Sequence, residues 1–130
     1  MTYCLDTNIV VDFLRGNKII IEKIRNISLH SDLSITCISL CELFKGAFLS
    51  SRSEKELIII NDFLDSVKVL DLNIDSCQTF GQEYSRLNKI GKQTKEFDLM
   101  IASISRANGL ILITRDKKDF ENIDVKLEVW

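Results

Sequence analysis

The chain is predicted to be an α/β protein, a three-layer α/β/α sandwich around a central parallel β-sheet. Three observations carry this expectation. Short apolar runs alternate with longer segments of helical spacing along the 130 residues. The run "LILI" at 110–113 is apolar at every position, as expected of a central strand covered on both faces. Glycine stops close several helical segments, at Gly16, Gly91 and Asn108-Gly109.

Taken in order, residues 2–5 read as a strand running into Asp6. Residues 8–15 read as a helix ending at Gly16, and 18–26 as a second helix. "LSITCI" at 33–38 is a strand, and 40–49 a helix. The preceding Ser39-Leu-Cys-Glu42 fits the S-x-x-E capping box. Residues 53–66 form a helix and "VKVLDL" at 67–72 a strand. Over 74–90, Ile74, Cys77, Phe80, Tyr84, Leu87 and Ile90 recur at helical spacing. A helix over 99–108, opened by Asp98, leads into the strand 110–114, and the tail "VKLEVW" offers a further strand. With no proline, repeat or low-complexity stretch to mark a linker, residues 1–130 are expected to form one domain.

Composition narrows the function classes. At 45% hydrophobic and 28% charged residues, the chain has the make-up of a folded globular protein, not a disordered one. Its apolar runs fall well short of the roughly 20 residues that span a bilayer, so no membrane partner is expected. No basic region followed by an apolar core and cleavage site opens the chain, and the expected compartment is the cytoplasm. Cys4, Cys37, Cys41 and Cys77 show no C-x-x-C spacing and read as free buried thiols. His30 is the only histidine, so a histidine-based metal site or a Ser-His-Asp triad would depend on it. It lies in the polar stretch "SLHSDLS" and is assigned no role. The net charge of −2 conceals two basic clusters: Arg86, Lys89, Lys92 and Lys95, then Arg115, Lys117 and Lys118. A solvated surface explains such clusters unless they flank a site acting on phosphate.

The acids are more informative. Asp6 and Asp116 each follow a strand, Glu42 follows the strand 33–38 by a few residues, and Asp98 opens a helix. Singly, each fits a helix cap, a first-turn acid or a turn. With right-handed crossovers the strand-end acids share the carboxyl edge where parallel sheets build sites, and Asp98 reaches that edge if its helix precedes a strand and its loop folds back. Converging carboxylates repel one another and raise each other's pKa values, and a hard divalent cation removes that cost. An all-oxygen set without cysteine or histidine suits Mg²⁺ or Mn²⁺. Asp119, three residues after Asp116, either assists or caps a turn. Asp12, Glu22, Asp62, Asp65, Glu83 and Glu121 read as a solvated surface.

"LDTN" near the start, "SLCEL", "DLMIAS" and "LITRDKKDF" before a terminal tryptophan, in that order, resemble a PIN domain of the VapC toxin type across essentially the whole chain. The resemblance implies a Mg²⁺- or Mn²⁺-dependent endoribonuclease. It also implies the toxin of a type II toxin–antitoxin pair, usually a homodimer and neutralised by a cognate antitoxin. Carried over by position, the site acids are Asp6, Glu42, Asp98 and Asp116. Thr7 and Asn8 match the polar residues after the first acid, and Ser39 and Thr114 match hydroxyl positions suited to holding the acids in place. The basic residues Arg86, Lys89, Lys92, Lys95, Arg115, Lys117 and Lys118 would then hold the RNA backbone beside an acidic hole. Two rivals fit less well. A receiver domain needs an acidic pair after the first strand and a lysine after the last, and a haloacid-dehalogenase phosphatase needs D-x-D where this chain has Asp6-Thr7-Asn8. A non-catalytic PIN-like RNA-binding or RNA-processing module would be expected to have lost acids. Helices 17–28 and 53–66 carry more apolar surface than one core face requires, as a groove for an antitoxin helix or a second protomer would.

Overall fold

A computed structural model describes residues 2–130. The chain runs β1 (Tyr3–Leu5), α1 (Thr7–Leu14), α2 (Lys18–Ser28), β2 (Leu33–Thr36), α3 (Cys37–Leu49), α4 (Ser53–Leu64), β3 (Lys68–Leu70), α5 (Ile74–Lys89), α6 (Glu96–Ala107), β4 (Ile111–Thr114), α7 (Lys117–Phe120) and β5 (Leu127–Val129). All four strand pairings are parallel, in the order β3-β2-β1-β4-β5. The chain builds outward from β1 to β3 on one side, then crosses to β4 on the other. The order therefore reverses beside β1, and the crevice at the carboxyl ends of β1 and β4 is the switch point where such sheets form sites.

The two-residue period of the strands separates the layers. Leu5, Ile35 and Ile113 face a core shared with α1 through α4, including Ile9, Ile24, Leu43, Ile60 and Phe63. Cys4 and Leu112 face the opposite core, with Leu87 from α5, Leu99 and Ile104 from α6, and Phe120 from α7. The predicted three-layer parallel sandwich is the observed one.

Local boundaries differ in ways that bear on the site. Strand β2 stops at Thr36, not at residue 38, because the Thr36 hydroxyl accepts the Ser39 backbone N–H and starts α3 at Cys37. The expected capping box of Ser39 and Glu42 is therefore not formed. Ser39 lies inside the first turn, fully buried, and Glu42 in the second. Helix α6 begins at Glu96, so Asp98 is its third residue and does not cap it. Residues 117–120, expected at most to form a turn, make the short helix α7. The thiols also depart from expectation. Cys4 is buried, whereas Cys41 and Cys77 are exposed and Cys37 is partly so. The stripe on α5 only partly coincides with its core face: Leu87 is buried and Phe80 packs against the core, but Ile74, Cys77, Tyr84 and Ile90 are exposed, and the polar Ser76 and Glu83 are buried in their place.

Candidate active site

Strand β1 delivers Asp6 to the carboxyl edge of the sheet, where its backbone N–H still bonds the Ile113 carbonyl of β4 at 2.9 Å. Asp6 is also the N-cap of α1, with one carboxylate oxygen accepting the Thr7 N–H at 2.8 Å and the other the Thr114 hydroxyl at 2.7 Å. The cap and the strand-end acid are thus the same residue. Only 4% of Asp6 is exposed. Burial raises its pKa, opposed by those two hydrogen bonds and reinforced by the charges of Glu42 and Asp116.

Thr7 ties the second acid to the first. Its hydroxyl lies 2.8 Å from both Ser39 Oγ and Glu42 Oε1. A carboxylate only accepts, so the single Thr7 proton goes to Glu42 and the Ser39 hydroxyl donates to Thr7. Ser39 is itself held beneath by Thr36, whose Oγ1 accepts its N–H at 3.1 Å. A line of hydroxyls thus runs from the end of β2 to the Glu42 carboxylate.

On the other side of the crevice, Thr114 accepts the Asp116 N–H at 3.0 Å while donating to Asp6. The Asn8 side-chain amide donates to the Asp116 carboxylate, joining the start of α1 to the end of β4. Asp98 enters from the first turn of α6, half-buried. Its pKa is pushed up to about 6, by burial first, then by the charges of Asp6, Asp119 and Glu42, against a smaller opposing pull from Lys95. Asp98 takes none of the hydrogen bonds that hold Asp6, Glu42 and Asp116.

These residues line one cleft of about 530 Å³, formed by Asp6, Thr7, Asn8, Glu42, Asp98, Asp116 and Asp119 with Lys95, Glu96 and Phe97. All four sequence-selected acids meet there. Thr7, Asn8 and Asp119 join them on the wall, and Ser39 and Thr114 lie buried behind. The basic residues divide. Lys95 lines the cleft, 3.6 Å from Asp119, while Lys89, Lys92, Lys117 and Lys118 are exposed. Arg115 is engaged by Asp12 at 2.7 and 2.9 Å, and Arg86 by Glu83 and the Asn122 carbonyl. Those two guanidiniums already serve the fold. Two features escaped the sequence reading. Phe97, directly before Asp98, stands on the cleft wall. Glu83, expected on a solvated surface, is only 3% exposed and accepts from Arg86, Arg106 and the Asp124 N–H.

The donor set fits a hard divalent cation. Every candidate ligand is a carboxylate oxygen, and the charges of neighbouring acids help to raise the pKa values of Asp6 and Asp98, with one lysine on the cleft wall. Among the described residues, no three acidic, histidine or cysteine side chains close into a ready-made cage.

Comparison with known proteins agrees with this geometry. Residues 3–126 match the PIN domain family. The chain is 32% identical over 131 residues to ribonuclease VapC2 of Haemophilus influenzae, covering 100% of this chain and 98% of that protein. It is 29% identical, with the same coverage, to the tRNA(fMet)-specific endonuclease VapC of Shigella flexneri. The fold superposes with a TM-score of 0.94 on VapBC2 from Rickettsia felis bound to a promoter DNA fragment, at 26% identity and covering 100% of this chain and 99% of that one. It superposes at 0.90 on VapBC-1 from nontypeable H. influenzae, at 32% identity and covering 100% and 98%. Nucleases of the PIN family generally depend on a divalent metal. The chain belongs to the PIN-domain family, among its VapC ribonucleases.

Proposed function

We propose that the chain is an endoribonuclease that hydrolyses RNA phosphodiester bonds with Mg²⁺ or Mn²⁺ at the cleft of Asp6, Glu42, Asp98 and Asp116, and that it acts in the cytoplasm as the toxin of a toxin–antitoxin pair. The observation that carries this reading is the convergence of four carboxylates from β1, α3, α6 and β4 on the switch-point crevice, with few internal cations to balance them. Asp6 and Asp98 would hold the cation. When bound, it supplies a water of lowered pKa and neutralises charge gathering on the phosphate. The remaining work belongs to the chain. Glu42, fixed by Thr7, orients the attacking water and accepts its proton. Asp116, held by Asn8, closes the far wall. Lys95, with Lys92 three residues before it and the exposed Lys117 next to Asp116, draws the RNA backbone to a negative floor.

The partners follow the same reading. A groove of about 580 Å³ between α1, α3 and α4, lined by Val11, Leu14, Leu43, Ala47, Ile59 and Ile60, shares Glu42 with the cleft. An antitoxin helix laid there would cover apolar surface and reach the acids from the side. The exposed Ile74, Cys77 and Tyr84 on α5 offer a separate face for a second copy of the chain. No helix among the described residues is long and apolar enough to cross a membrane.

The test is cleavage of RNA by Asp6→Asn, Glu42→Gln and Asp98→Asn proteins with Mg²⁺ or Mn²⁺ present. Each should lose at least about a hundredfold in rate while remaining folded, since each removes a charge that acts on the reacting phosphate or water. Folded variants that keep the parent rate would show that these acids take no part in the chemistry.

A further inference from the structure

We propose that Phe97 is a stacking platform for an unpaired base of the RNA held at the acidic cleft; this rests on the ribonuclease reading and deepens it. Phe97 sits in the first turn of α6, between Glu96 and Asp98, and lines the acidic cleft. It is 57% exposed. The core face of α6 is formed by Leu99, Ile101, Ala102 and Ile104, and Phe97 belongs to neither hydrophobic core. No other ring packs on it among the described residues, where the aromatic pairs are Phe13 with Phe63 and Phe80 with Tyr84. Scattered exposed apolar residues are ordinary on a protein surface. Phe97 differs from Ile19, Leu29, Phe48, Leu49, Ile58 and Ile74 in its position, because of these exposed side chains it alone lines the cleft.

The neighbours decide what the ring can accept. The floor is carboxylate and repels a phosphate that arrives without a cation. Lys95 precedes the ring by two residues on the same wall and offers a contact for the backbone. A nucleotide entering here meets a cation for its phosphate and an aromatic face for its base. Stacking of this kind tolerates any base, since each has a π-face, but it requires a base already out of a duplex stack. A paired helix keeps its bases inside and cannot use the platform.

The experiment measures binding of an unstructured RNA of about ten nucleotides, and of the same sequence as a duplex, to the full chain carrying Glu42→Gln, which stops cleavage and leaves Asp6 and Asp98 to hold Mg²⁺. Phe97→Ala should weaken single-strand binding by roughly ten- to a hundredfold, Phe97→Trp should restore it, and duplex binding should be weak and unchanged. In the otherwise native chain, Phe97→Ala should raise KM for single-stranded RNA more than it lowers kcat. The proposal is overturned if Phe97→Ala binds the single strand like its parent. It is equally overturned if single-strand and duplex binding fall together, or if tryptophan fails to rescue. Native protein that cleaves RNA with unaltered KM after Phe97→Ala leaves the ribonuclease reading intact and removes the platform. Native protein that cleaves no RNA removes both.

Discussion

Glu83 and Asp98 are both acids on helices of the same layer, yet their surroundings are opposite. Glu83 is buried on α5 and receives Arg86 from its own helix, Arg106 from α6 and the Asp124 N–H from the loop before β5. The hydrogen bond from Arg86 holds its carboxyl below the usual range, against the opposing effect of burial. Asp98 faces Asp6, Asp119 and Glu42, and its carboxyl is raised to about 6. One acid has its charge answered by the protein, and it ties two helices to a loop. The other stands among like charges at the crevice where the strand order reverses. A fold that can surround Glu83 with arginines is able to neutralise an acid, so the cleft acids left unneutralised point to a ligand from outside.

Variants can break this contrast at either end. The largest effect falls on the chemistry. Thr7→Val removes the hydroxyl that donates to Glu42 and leaves Ser39 without its acceptor. Outer contacts of this kind typically govern metal affinity and activity by about 10–100-fold, so RNA cleavage should fall by that order with the fold retained. A Thr7→Ser protein should keep most of the rate, because it keeps the hydroxyl. Parallel rate measurements on both variants separate loss of the hydrogen bond from loss of the methyl group.

A smaller effect, on stability alone, is expected from Glu83→Gln. Removing one partner of a fully buried pair costs about 3–5 kcal/mol. Arg86 and Arg106 are 44% and 40% exposed at their side chains and regain water, so the expected loss is about 1–2 kcal/mol. Urea unfolding in chelator measures it, and cleavage should remain within about twofold of the parent because no reacting group is touched.

The pH dependence of the same unfolding sharpens the contrast, since the two acids act with opposite sign. Glu83 has a depressed carboxyl, so its contribution is present above its unfolded value near 4.5 and is lost as pH falls through the lower folded value. Asp98 has a raised carboxyl, so without metal it costs stability above about pH 6, and that cost fades as pH falls toward 3.8. Relative to the parent in chelator, Asp98→Asn should remove a gain between pH 6 and 4, and Glu83→Gln should remove a loss below about pH 4.5.

The two sites also differ in how far the sequence discloses them. The cleft acids are legible because Asp6 and Asp116 follow strands, Glu42 trails β2 by a few residues and Asp98 opens a helical run, and strand runs such as "LILI" announce the parallel sheet that gathers the strand ends; that α6 brings Asp98 to them required the fold. The finer roles are not, because Ser39 and Glu42 mimic a capping box while the fold assigns the cap to Thr36. Glu83 hides for a different reason. Its spacing from Leu87 places it on the core face, but Arg106 and Asp124 arrive from elsewhere in the chain, and no local pattern announces them. The α5 stripe misleads in part, since helical spacing marks Phe80 and Leu87 for the core but does not show that Ile74, Cys77, Tyr84 and Ile90 stay outside it. Phe97 was detectable only as an aromatic beside Asp98 in a lysine-rich approach; its exposure on the cleft wall required the fold.

The central claim, that the cleft acids are left unpaired to hold a divalent cation, is tested most directly by thermal unfolding during a Mn²⁺ or Mg²⁺ titration. The parent should gain melting temperature as the ion is added, with stabilisation near 2.7 kcal/mol at about a hundred times the dissociation constant. Glu83→Gln should start lower and gain as much, whereas Asp98→Asn should start no lower than the parent and gain little. A parent that does not respond to the cation, or an Asp98→Asn protein that responds as the parent does, would contradict the account.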